Sequence, residues 1–202
     1  RNSHEYWGYS AGLDFERVIL VKRNAAQLLR EKLNSQSWEA HPIVFSGNTD
    51  CYQPIERKLE ITRNCLKVFL EKKHPVGIIT KNSLILRDLD ILKELARDNL
   101  IQVNLSITSL SEATRRLLEP RTASIAQRLK TVAVLSENNI PVRVMMAPII
   151  PSLNSHEILP LVKEVATLGA RDVAYTVVRL NGQIAEIFTD WIHKSLPDRA
   201  ER

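Results

Sequence analysis

Apolar positions along the chain fall into two alternating patterns, short β-rich runs and longer stretches with helical spacing. The runs at residues 15–22, 43–45, 76–80, 101–108, 142–146 and 173–178 predict strands, each bounded by polar or turn-forming residues. Between them, Leu28, Leu29 and Leu33 mark a helix that Asn24 opens, and Ile55, Leu59, Thr62, Leu66 and Leu70 mark one that Pro54 opens. Leu89, Leu92 and Leu95 predict a third helix, and Ile125, Leu129, Val132 and Leu135 a fourth that starts near Thr122. Residues 155–168 and 184–196 predict two more. Pro160 suits its helix only in the first turn or two, where a missing N–H has no helical partner. Residues 1–14 keep no period and read as an irregular segment.

Strands that alternate with helices at this spacing specify an α/β fold with a parallel sheet and right-handed crossovers. A closed eight-stranded barrel takes about 250 residues, and this chain has 202. The pattern therefore allows a partial (β/α) barrel or a doubly wound sheet and does not separate the two. The chain reads as one domain, residues 1–202, with the βα unit as its repeat.

Composition narrows function by exclusion. The 44% hydrophobic content suffices for a sizeable core. No apolar run approaches the roughly 20 residues of a membrane span, and none near Arg1 resembles a signal peptide, so the expected location is cytoplasmic. Cys51 and Cys65 are the only cysteines, too few for a four-cysteine zinc site or a disulfide framework. The net charge of +5 permits an anionic partner. Yet basic residues such as Arg57, Lys58, Lys72 and Lys73 are scattered beside acidic ones, as on a solvated face.

In a parallel α/β fold the residues that follow each strand gather on one face, whatever their separation in sequence. Those ends supply Lys22, then Thr49, Asp50 and Gln53, then Lys81, then Ser106 and Thr108, then Ile149 and Ile150, and last Arg179. This rim has no Gly-x-Gly-x-x-Gly turn or Gly-x-x-x-x-Gly-Lys-Ser/Thr loop for phosphate, and no His-x-x-x-His pair for zinc.

Each rim feature also has a plain structural reading. The polar string 46–53 is equally an ordinary connection whose side chains cap and turn the backbone. Lys81 either meets a carboxylate or reaches water from its strand end. Residues 147–154, braced by Pro148 and Pro151, form either a flat uncharged ligand surface or a stiff loop that caps the next helix through Asn154 or Ser155. In Leu118-Glu119-Pro120-Arg121 the adjacent opposite charges either bind a zwitterion or pair with each other. His41 and His74 precede strands, at the face opposite the strand ends, where a structural role is expected.

Taken in order, several segments resemble the radical S-adenosylmethionine superfamily, in the branch of spore photoproduct lyase. They are residues 4–16, Asn48-Thr49-Asp50 with Tyr52-Gln53-Pro54-Ile55-Glu56, Thr80-Lys81-Asn82-Ser83, Ser106-Ile107-Thr108, Leu118-Glu119-Pro120-Arg121, and residues 147–154. The resemblance implies a partial (β/α) barrel, its first strand missing from this chain, with S-adenosylmethionine and a [4Fe-4S] cluster at the open top. One electron from the cluster would cleave the sulfonium, and the resulting 5′-deoxyadenosyl radical would abstract hydrogen from a substrate. By position in the family pattern, Thr49 and Asp50 would meet the methionine amine, Lys81 its carboxylate, and Ser106 and Thr108 the ribose or carboxylate. Ile149 and Ile150 would flank the adenine, and Gln53, Glu119, Arg121 and Arg179 would border the substrate or shape the rim.

The resemblance further implies a Cys-x-x-x-Cys-x-x-Cys cluster motif, and Cys51 and Cys65 do not match it. In relatives that motif precedes the segment similar to residues 4–16. The expectation is therefore that it lies upstream of Arg1 and that this chain by itself does not cleave S-adenosylmethionine. Two competing expectations stand beside this one. The first is a cluster-free barrel that binds a small molecule or partner without catalysis. The second is a hydrolase or aldolase barrel with Lys81 as an amine nucleophile. The lyase resemblance would also allow a nucleic-acid substrate, for which the scattered charge gives little support.

Overall fold

The computed structural model of the protein describes residues 5–9, 17–47 and 49–200. The apolar runs pair into one sheet of five parallel strands: β1 (Ile43–Phe45), β2 (Val76–Thr80), β3 (Ile101–Ser106), β4 (Val142–Ile149) and β5 (Asp172–Val177). The helices in chain order are α1 (Ala25–Leu33), α2 (Glu56–Leu59), α3 (Ile61–Glu71), α4 (Leu89–Arg97), α5 (Glu112–Leu118), α6 (Ile125–Glu137), α7 (Ile158–Thr167), α8 (Gln183–Ser195) and α9 (Pro197–Ala200). Spatial order equals chain order, β1-β2-β3-β4-β5. A doubly wound sheet reverses direction beside its first strand, so this sequential order decides for the partial (β/α) barrel.

Register carries apolar rows across the sheet. Ile78 is opposite Val103, and Leu105 is opposite Val144, all four at 0% exposure. Leu66 and Phe69 of α3, Leu92 and Leu95 of α4, Leu135 of α6 and Leu161 of α7 are buried in the same cluster. Local chemistry sets several helix starts. Ser111 accepts from the Thr114 N–H at 3.2 Å to open α5, and Ser124 with Gln127 forms a reciprocal capping box at α6. Pro160 is the third residue of α7, inside the first turn, as expected.

Four expectations are corrected. Residues 17–22 form no strand, and 15 and 16 lie outside the described residues. Ile19 and Leu20 stay half-exposed beside a cleft, because an apolar pattern signals a surface to cover but supplies no hydrogen-bonding neighbour. Asn24 is at the α1 cap position, but its side chain caps nothing. The helix attributed to Pro54 begins at Glu56 and breaks at Glu60, whose φ of 49° is left-handed, into α2 and α3. Finally, β4 runs on to Ile149, through Pro148, because its register against β5 shifts between Met146 and Ile149.

His74 has the structural role expected of it. Trp38 Nε1 can only donate, and it does so to His74 Nε2 at 3.1 Å, which leaves Nδ1 to donate to the Pro75 carbonyl at 2.9 Å. Among the described residues no helix is long and apolar enough to cross a membrane.

Candidate cofactor-binding cleft

The chain turns out of β1 at Ser46, whose φ is 79° and whose hydroxyl accepts from the Cys51 N–H at 2.9 Å. Asp50 then ties this loop to the end of β2. One carboxylate oxygen accepts from the Tyr52 N–H at 2.9 Å and the Thr80 hydroxyl at 2.8 Å, and the other accepts from the Lys81 N–H at 2.7 Å. From the far side, the Asn82 amide donates to the Tyr52 carbonyl at 2.8 Å. The side chains that turn the backbone through residues 46–53 thus also build a wall at the strand ends.

A buried ionic network braces that wall from behind. The Glu56 carboxylate accepts from the N–H groups of Ile61 and Thr62 at 2.9 and 3.1 Å, so it caps α3 where a side chain at the cap position itself does not. It also pairs with Arg87 at 2.9 Å. Arg87 reaches on to Asp88 at 2.8 Å, Arg63 joins Asp88 at 2.9 Å, and the Tyr52 phenol donates to Asp88 at 3.0 Å. Burial, then the Asp88 charge, pushes the Tyr52 phenol far above its ordinary range, so it stays a donor. None of Arg63, Arg87 or Asp88 stood out in the sequence.

At the carboxyl ends of β1, β2 and β3 the surface opens into a cleft of about 940 Å³. Of the residues singled out from sequence, it brings together Thr49, Asp50, Gln53, Lys81, Ser106, Glu119 and Arg121. A smaller cavity of about 460 Å³ adjoins it and shares Thr49, Asp50 and Gln53. Thr108, Ile149, Ile150 and Arg179 do not line the larger cleft. Thr108 lies past the end of β3 at 1% exposure, and its buried hydroxyl has no hydrogen-bond partner among the described residues. Ile149 and Ile150 are 7% and 4% exposed, turned into the core, so residues 147–154 present no flat apolar face to the cleft. Asn154 folds that loop, taking the Ile150 N–H at 2.7 Å and giving its amide to the Thr108 carbonyl at 2.7 Å, and it makes no helix cap. Arg179, just past β5, is exposed. Asn48 lies outside the described residues.

Glu119 does not pair with Arg121. Its carboxylate bonds the Lys81 ammonium on one oxygen and Arg128 Nη1 at 2.8 Å on the other. Burial raises the Glu119 carboxyl, but the Lys81 and Arg128 charges outweigh it, and the group ends below the ordinary range. Arg128 was missed from sequence although it left a signal. It falls on the stripe of Ile125, Val132 and Leu135, and a charge on an apolar helix face requires a buried partner.

A family model of the Radical SAM superfamily matches residues 15–165, and the chain belongs to that superfamily. The protein is 28% identical over 204 residues to the uncharacterized protein Rv2578c of Mycobacterium tuberculosis, covering 100% of this chain and 60% of that one. It is 33% identical over 135 residues to the uncharacterized protein MJ0683 of Methanocaldococcus jannaschii, covering 67% of this chain and 49% of the other. The chain thus spans 60% of the mycobacterial relative's length. Among solved structures, a spore photoproduct lyase variant with bound AdoMet and dinucleoside spore photoproduct shares the fold. It aligns with a TM-score of 0.64 at 16% identity, over 85% of this chain and 50% of that one.

The superfamily implies S-adenosylmethionine and an iron–sulfur cluster, and the residues present fit the first and not the second. Thr49, Asp50, Lys81 and Ser106 offer hydroxyl, carboxylate and ammonium groups around one cleft, which suits a zwitterionic, hydroxylated ligand. Cluster iron needs thiolates. The sequence has two cysteines, fewer than the thiolates a cluster takes, and burial pushes the Cys51 thiol up to about 12 and the Cys65 thiol up to about 11. Among the described residues no three His, Cys, Asp or Glu side chains group to hold a metal ion.

Proposed function

We propose that this chain is the S-adenosylmethionine-binding part of a radical enzyme whose cluster ligands belong to another part of the full-length protein. The observation that carries the reading is the convergence of Asp50, Lys81 and Ser106, from the ends of three adjacent strands, on one cleft. With its cluster, the cofactor would supply a carbon radical that removes hydrogen from a substrate. The Lys81 ammonium would bind the methionine carboxylate, Thr49 and Asp50 would face the amine, and the Ser106 hydroxyl would meet ribose or carboxylate. Because Asp50 already accepts three hydrogen bonds from neutral donors, it would act as a fixed charge. The roles of Thr108 at the ribose and of Ile149 and Ile150 at the adenine rest on position in the family pattern alone.

Gln53, Glu119 and Arg121 would shape the substrate side of the cleft, with Arg179 beyond it. Among the described residues the cations on the cleft wall are Lys81, whose ammonium is paired with Glu119, and Arg121, which is exposed and unpaired with that carboxylate. A single exposed cation is a weak phosphate track, so a nucleic-acid substrate draws its support from the lyase likeness and not from this surface.

The test is anaerobic reconstitution of the full-length protein with iron and sulfide, followed by reduction in the presence of S-adenosylmethionine. Release of 5′-deoxyadenosine is expected. A cluster-loaded protein that leaves S-adenosylmethionine intact would overturn the reading in favour of a non-catalytic binding barrel.

A further inference from the structure

Lys81 enters the cleft already paired, and its partner is held in turn. The Lys81 ammonium bonds Glu119, whose side chain is only 8% exposed, and Glu119 bonds Arg128, which is 1% exposed. Arg128 reaches three further groups through a rigid fork. Its Nη1 also donates to the Ser106 carbonyl at 3.0 Å, its Nε to the Ala123 carbonyl at 3.0 Å, and its Nη2 to the Thr122 hydroxyl. The guanidinium is thus referenced to the end of β3 and to the segment that leads into α6.

We propose that Glu119 and Arg128 are positioning residues that hold the Lys81 ammonium in the orientation in which it receives the carboxylate of an S-adenosyl amino acid. The inference rests on Lys81 being the carboxylate contact. Its physical basis is preorganisation. A lysine stem is flexible, and freezing it on ligand binding weakens affinity by about 2- to 10-fold. Glu119 freezes it beforehand while occupying one of its three donors, and Lys81 remains 34% exposed on the cleft wall. A carboxylate alone could not do this from solvent, since an exposed Glu would itself need ordering. Burial against Arg128 supplies that order. The charges also match the ligand, because two cations enclose one anion and leave a net positive charge for an incoming carboxylate to complete.

The test uses the full-length, cluster-reconstituted protein and calorimetric titration with S-adenosylhomocysteine, which has the same amino-acid end and no sulfonium to cleave. Lys81→Ala is expected to weaken binding by about 10- to 100-fold, the range for losing a charge-assisted hydrogen bond. Glu119→Gln should weaken it by about 3- to 10-fold in the wild-type background and by less than about twofold in the Lys81→Ala background. That non-additivity is the signature, because a merely structural Glu119 lowers affinity equally in both backgrounds. Equal losses, or tighter binding by Glu119→Gln, would overturn the proposal. Should Glu119→Gln fail to fold by circular dichroism, Arg128→Lys in the same two backgrounds is read in the same way. If Lys81→Ala binds as well as wild type, both this inference and the assignment of Lys81 fall, while release of 5′-deoxyadenosine still decides the proposed function separately.

Discussion

Asp50 accepts the main-chain N–H of Lys81 at 2.7 Å, while the ammonium of the same lysine is bonded to Glu119. One residue at the end of β2 is therefore fixed at its backbone by the loop after β1 and at its tip by the segment after α5. Replacing Asp50 should loosen the joint between β1 and β2 as well as the cleft. Asp50→Ala is expected to cost about 2–3 kcal/mol in urea unfolding, the scale of losing hydrogen bonds to a charged group. A cost below about 0.5 kcal/mol would show that the joint holds without it.

Glu56 is expected to matter for stability far more than its neighbours on the same short helix. It is 4% exposed, caps α3 and pairs with Arg87, so Glu56→Ala leaves the Ile61 and Thr62 N–H groups without that acceptor and Arg87 with Asp88 as its remaining carboxylate. The expected cost is about 2–3 kcal/mol, the scale of losing hydrogen bonds to a charged group. Arg57→Ala, on the exposed face of the same helix, should stay within about 0.5 kcal/mol. Equal effects at the two positions in chemical denaturation would refute the buried network.

The pH dependence of Glu119 has a definite sign. Its folded carboxyl lies below the ordinary value of 4.5, so it stabilises the protein fully above that value, and the contribution is lost as pH falls below it. The difference in melting temperature between wild type and Glu119→Gln should therefore shrink as the pH is lowered through 4.5. A gap that stays constant across that range would mean that the carboxylate charge is not what Lys81 and Arg128 read.

Cys51 and Cys65 should behave as unreactive thiols in the folded protein. With burial raising them to about 12 and about 11, alkylation by iodoacetamide at neutral pH should be slow in the native state and complete after denaturation. The Cys51→Ala and Cys65→Ala variants should bind the same amount of iron as wild type after reconstitution. A drop in iron content would place one of them at the cluster.

Gly169 is held at a φ of +86°, past the end of α7, and a Cβ built there would collide with the Ser136 hydroxyl. Gly169→Ala should destabilise by about 1–3 kcal/mol from conformation and contact together. Pairing it with Ser136→Gly removes the contact and should recover part of that loss in thermal melts. If nothing is recovered, backbone conformation alone carries the cost.

The strand–helix alternation was legible because it depends on local periods: Val76–Thr80 is a strand and Leu92 and Leu95 face inward, as their spacing requires. The gathering of polar residues at the strand ends was legible for the same reason, and Thr49, Asp50, Gln53, Lys81 and Ser106 do line one cleft. The strand assigned to 15–22 failed in residues 17–22, since pairing needs a partner that composition does not name. The inward turn of Ile149 and Ile150 was illegible too, because a proline-braced apolar loop reads alike whether it faces a ligand or the core.

By itself, then, the sequence determined a parallel α/β chain with a polar rim and a resemblance to one superfamily, because side-chain period and motif order are properties of neighbours along the chain. Only the tertiary structure decided which charges meet. Glu119 passes over Arg121, two residues away, for Lys81 and Arg128 at 38 and 9 residues' distance. Burial makes that choice, because an ion pair gains most where water is excluded and every remaining donor is satisfied, and this condition exists only after the strands have brought the three residues together.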